Sequence, residues 1–233
     1  MNDKDTFKGG VLIIGSLLWD LSEIRQKWRN EDLNLSDKIQ IELPIRYGRV
    51  SKSRNCTYSM VYSSDCKTNN KLGKGYFVPF ENESTSIEEI LNLSKSVIDS
   101  EHNENKDLNR LNWGWGCLGI AFNPTLEENK KNIILDSWKA KYGNGFNPEE
   151  YKVGDETPII TNSGILLIDW MSQLEDFEFV IGTATKPQLE EYPSSDKIAE
   201  RMIVNEYDEY FRKNREELIT TFQDDEIQNK LNQ

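Results

Sequence analysis

The sequence predicts an α+β fold: a mixed, partly barrel-like β-sheet flanked by helices. Three observations carry this expectation. Strand-like and helix-like segments interleave without the steady βαβ alternation of a doubly wound parallel sheet. No internal repeat, low-complexity tract or long linker divides the 233 residues, so residues 1–233 read as one domain. Hydrophobic residues make up 36% and aromatic residues 10%, which supports a folded core beneath a well-solvated surface.

Val11–Ile14 is a short apolar run of the kind that forms a buried strand, and Gly15-Ser16-Leu17 follows it directly. Asp20–Leu33 reads as an amphipathic helix, with Leu21, Ile24 and Trp28 on one face and Arg25, Lys27 and Arg29 elsewhere. Lys38–Leu43 alternates polar and apolar residues as a strand does, and Pro44 stops it. Ile45–Lys52 continues extended and carries Arg46 and Arg49, and Thr57–Tyr62 is a further strand. Asp65–Lys71 reads as a polar loop or hairpin tip, before a short strand over Gly75–Phe80. Ser84–Glu101 is the best-marked helix: Ser86 and Glu89 have capping-box spacing, and Ile87, Ile90, Leu91, Val97 and Ile98 trace an apolar stripe.

Beyond it, Trp113–Phe122 alternates around glycines, with Trp113 and Trp115 either in the core or forming a stacking platform. Asn132–Tyr142 reads as a helix and Gly143–Glu156 as a loop. Ile165–Trp170 and Phe177–Gly182 read as two strands. From Ser194 or Ser195 one long helix is expected to about Phe222, striped by Ile198, Met202, Ile203, Tyr207, Tyr210, Phe211 and Leu218. The last ten residues are polar and are expected to fray.

Charge and composition exclude several function classes. The net charge of −12 argues against a nucleic-acid footprint, which needs a basic face. No apolar run approaches the ~20 residues of a membrane span. Met1–Lys8 is polar and charged, unlike a secretory signal, so a soluble cytoplasmic protein is expected. Cys56, Cys66 and Cys117 are odd in number and unpatterned, which disfavours a disulfide framework. His102 is the single histidine, so no multi-histidine metal site is expected and acid–base work falls to a carboxylate, Lys or Tyr. His102 itself reads as a surface residue.

Three features point to a site. The first is the turn Gly15-Ser16-Leu17-Leu18, where a glycine after a buried strand lets main-chain N–H groups approach an anion or oxyanion. The second is a basic island, Lys38, Arg46, Arg49, Lys52 and Arg54 against Glu42 alone, which is either an anion site or a solvated strand edge. The third is Glu101, which continues the apolar stripe of its helix to the C-terminal end. There it is either a frayed residue in water or a carboxyl with its pKa raised by burial and the helix dipole, as suits a general acid–base group.

Gly15-Ser16-Leu17 after the first strand, an Arg-rich strand within the next forty residues, and a later helix ending in a glutamate together resemble the γ-glutamylcyclotransferase-like family. The resemblance covers about residues 11–105, leaving 106–233 as additional strands and the long helix. It implies a small mixed barrel and a loop that binds the γ-glutamyl group through backbone donors, here Gly15, Ser16, Leu17 and Leu18. It also implies catalysis by one glutamate, which Glu101 matches, and release of 5-oxoproline from a γ-glutamyl amine or peptide without a cofactor. Ile14 stands where the family has Tyr, and His102 follows Glu101 where the family has Gly. In that reaction Arg46, Arg49 or Arg54 can hold the substrate's α-carboxylate through a bidentate fork. A non-catalytic protein binding a small carboxylate, other small anion or nucleotide through the same loop is the alternative. Another is a protein that binds a basic partner through its acidic long helix.

Overall fold

The computed structural model describes residues 6–82, 85–102, 110–143 and 145–233, with the side chain of His102 left out. The expectation for His102, and the Ser84 start of its helix, therefore fall outside the described residues. The chain folds as an α+β protein around a mixed five-stranded sheet. The strands are β1 (Gly9–Ile13), β2 (Ile39–Leu43), β3 (Ile45–Ser51), β4 (Thr57–Tyr62), β5 (Gly73–Pro79), β6 (Gly116–Phe122) and β7 (Phe179–Thr185). The helices are α1 (Glu23–Asp32), α2 (Ser64–Thr68), α3 (Ile87–His102), α4 (Glu128–Tyr142), α5 (Ser195–Val204), α6 (Glu209–Glu216) and α7 (Asp224–Leu231).

Sheet order is β2-β5-β1-β7-β6, which puts β1 at the centre. It runs antiparallel to β5, with Leu12 opposite Phe77, and parallel to β7, with Leu12 opposite Gly182. A central strand covered on both faces needs an uninterrupted apolar run, and all five β1 residues are buried. The turn that follows β1 is thereby fixed at the middle of the sheet.

The expected barrel closure does not occur. Among the described residues β2 and β6 are the outermost strands and do not meet, and β3 pairs only with β4 in a separate two-stranded hairpin. Pro44 has no N–H to continue the ladder, so the chain leaves the sheet after β2 and β3 takes a new partner. The hairpin lies over β7 and β5, with α5 on β4 and α7 on α5. Helix α3 packs against α1, α4 and β6.

Five local expectations are also revised. The long C-terminal helix is two helices, α5 and α6, because the chain turns through positive φ at Glu206 (49°), and a second such turn at Leu218 (59°) follows α6. The final residues are helical, and α7 buries Ile227 in the core instead of fraying. Residues 165–170 make only isolated bridges, Ile165 to Ile120 and Leu166 to Ile160. The polar stretch after β4 contains α2, and Leu21, expected on the apolar face of α1, is 71% exposed.

Candidate functional site

The turn after β1 closes on itself. The Leu18 amide donates to the Gly15 carbonyl, and the Trp19 and Asp20 amides donate to the Ser16 carbonyl. Buried Arg29 of α1 grips the turn from behind, donating to the carbonyls of Leu17 and Asp20, each at 2.7 Å. Among the described residues the amides of Ser16 and Leu17 have no acceptor. Gly15 is required: a Cβ there would lie 2.6 Å from the Tyr210 hydroxyl.

Glu101 reaches this turn through Arg25. The Arg25 fork donates through Nη1 to Ser16 Oγ (3.0 Å) and Asp20 Oδ2 (2.9 Å), and through Nη2 to Glu101 Oε2 (3.1 Å). Its Nε donates to the Ser100 carbonyl, so the guanidinium is held on four sides. Burial pushes the Glu101 carboxyl above its ordinary pKa; Arg25, and more weakly Thr183 and Arg54, pull the other way without cancelling it. Asp20 is also penalised by burial, but the Ser22 amide and Arg25 outweigh that, and its carboxyl titrates below the usual range. Two neighbouring carboxyls thus differ in proton affinity by environment alone.

Arg54 approaches from the turn after β3. Its Nη2 donates to Ser16 Oγ at 2.9 Å, and its guanidinium lies 3.9 Å from the centroid of the Tyr210 ring. Ser16 Oγ therefore accepts from two guanidinium groups. Among the described residues no carboxylate forms a salt bridge with Arg54, which leaves part of its donor fork uncommitted.

These groups line one cavity of about 940 Å³, within the size range of small-molecule sites. Of the residues singled out from sequence, Gly15, Ser16, Leu17, Arg49, Lys52, Arg54 and Glu101 lie on its wall. Arg49 spends donors on the Lys186 carbonyl and Gln188 Oε1. Leu18 and Arg46 lie off the wall. The Leu18 side chain is buried, and Arg46 at the start of β3 pairs with Asp65 (3.0 Å) and stacks on Tyr192. Trp113 is in the core, whereas Trp115, packed edge-on against it, faces the cavity.

Sequence reasoning missed Arg25, Arg29, Asp20 and Tyr210. The four-residue spacing of Arg25 and Arg29 was the available signal, since it puts both on one side of α1. Tyr210 was read only as part of an apolar stripe; the break before α6 turns it onto Gly15.

Among the described residues, no group of three His, Cys, Asp or Glu is placed to hold a metal ion, and no helix is long and apolar enough to cross a membrane. No protein-family model, curated protein or solved structure matches this chain.

Proposed function

We propose that the cavity is a cofactor-independent active site that cyclises γ-glutamyl compounds, releasing 5-oxoproline and an amine. The substrate's α-amine attacks its own γ-carbonyl carbon. Glu101 takes the proton lost by that amine and delivers it to the leaving nitrogen, so one carboxyl serves both transfers. A carboxyl with a raised pKa suits that double duty. The free amides of Ser16 and Leu17 stabilise the developing oxyanion, and the uncommitted donors of Arg54 hold the α-carboxylate. Arg25 orients Glu101 by holding one carboxylate oxygen.

The observation that carries this reading is the placement of Glu101 and the Gly15–Leu17 turn on one cavity wall, bridged by a single guanidinium. The test is 5-oxoproline release over a panel of γ-glutamyl amino acids, dipeptides, amines and glutathione, in the wild type and Glu101→Gln. Turnover that vanishes in the variant at nearly unchanged melting temperature is the expected result. Turnover that survives the substitution sinks the assignment.

A second reading, a binding protein for a small carboxylate, is favoured by the two guanidinium groups converging on Ser16 and by the pairing of Glu101 with Arg25. Calorimetric binding of 5-oxoproline or glutamate, with no turnover of any γ-glutamyl probe, would select it.

A further inference from the structure

Tyr210 of α6 is placed as no residue of the apolar stripe needs to be. Helix α6 is locked against the first turn by the Trp19 indole, which donates to Oδ1 of fully buried Asn214 at 2.7 Å. This brings the Tyr210 ring beneath Arg54 and its hydroxyl against Gly15, on the wall of the cavity. The residue is only 4% exposed. Its oxygen accepts one long hydrogen bond, from the Met60 amide at 3.4 Å. Among the described residues the hydroxyl hydrogen has no acceptor. Because the residue lines the cavity, that hydrogen is open to a group bound there. The Ser16 and Leu17 amides, which lack acceptors as well, follow Gly15 directly in the turn and line the same cavity.

We infer that Tyr210 is a catalytic hydrogen-bond donor, its hydroxyl contacting the γ-carbonyl oxygen of the substrate and strengthening that contact as the oxygen gains charge. The inference rests on the cyclisation reading. The proton stays on the phenol throughout, and proton transfer remains with Glu101. A turn donor pair plus a side-chain donor makes a three-point cradle for one oxygen. The glycine at position 15 is what admits the phenol to that distance.

Tyr210→Phe tests it, because the ring stays under Arg54 and only the donor is lost. The expected result is a fall in kcat of about a hundredfold, as for loss of one oxyanion donor, with KM changed little. Isotope-edited infrared of bound 5-oxoproline, labelled at the lactam carbonyl, gives an independent readout. Its stretch should move to higher frequency in the variant. Wild-type turnover in Tyr210→Phe, or a KM increase with kcat preserved, overturns the donor role while leaving 5-oxoproline release in place. A wild-type chain inactive on every γ-glutamyl probe removes the reaction and the donor role together.

Discussion

Arg25 and Glu101 are 76 residues apart in sequence and meet at 3.1 Å, both largely screened from solvent. Removing the cation leaves a buried carboxyl without its counter-charge. In Arg25→Met the Glu101 pKa therefore rises further, since Arg25 is the strongest influence lowering it. Catalysis that needs ionised Glu101 should lose its acidic limb at a higher pH than the wild type, which a kcat/KM profile against pH reads directly. A group whose folded pKa is raised contributes stability that is present at low pH and lost as pH rises through that pKa. The variant should accordingly be destabilised by about 3 kcal/mol near neutrality and by less on acidification. An unmoved acidic limb would show that Glu101 is not the titrating base.

Gly15 and Tyr210 form a second pair that can be tested without any substrate. Gly15→Ala puts a methyl 2.6 Å from the Tyr210 hydroxyl and 3.4 Å from Cζ. An overpacked site of this kind costs about 1–3 kcal/mol. Tyr210→Phe removes the closer contact, so the double variant should recover much of that loss. Urea unfolding of the four chains gives the coupling. Additive losses would mean that the alanine acts through something other than the phenol.

How much of this could be read from the sequence follows from which interactions are local. The capping box of α3 forms as its spacing predicts: the Ser86 amide donates to Glu89 Oε2 at 2.7 Å, and the Glu89 amide to Ser86 Oγ at 3.3 Å. The buried central strand and the apolar stripe of α3 were legible for the same reason, while the mixed sheet was inferred from the irregular interleaving of strands and helices. The division of the C-terminal segment was not. Glu206 and Leu218 adopt positive φ with side chains that seldom do so, and no glycine or proline marks either turn. Closure of the sheet was misjudged because a proline between two strands does not say whether the second rejoins the first sheet. In the site, a turn motif and one displaced carboxylate are visible along the chain. The Arg25 bridge and the Tyr210 contact exist only through tertiary packing.

Arg54 should govern substrate affinity. Its planar fork touches Ser16 and stacks on Tyr210 while other donors stay open. Arg54→Lys keeps the charge and loses the fork and the stack. KM for a γ-glutamyl substrate should rise about tenfold, equivalent to ~1.4 kcal/mol, with kcat little altered. A substrate lacking the α-carboxylate should be insensitive to the substitution. Equal sensitivity of both substrates would remove Arg54 from the carboxylate site.

Asp224, far from this chemistry in role, sets a pH dependence of folding. Its Oδ1 accepts from the Thr221 amide (2.8 Å) and hydroxyl (2.6 Å), while buried Oδ2 has no partner among the described residues. Burial raises its carboxyl from 3.8 to about 6; the Thr221 hydrogen bonds and Arg215 oppose this, and Asp225 adds to it. Because the folded pKa is the higher one, stability from this group is full below about pH 4 and is lost as pH rises through about 6. A shift of that size corresponds to about 3 kcal/mol. Asp224→Asn keeps an oxygen for both Thr221 donors and cannot ionise. Its urea midpoint should match the wild type near about pH 4 and exceed it by about pH 7. A variant less stable than the wild type at the higher pH would mean that the charged bonds to Thr221 outweigh the burial of the carboxylate.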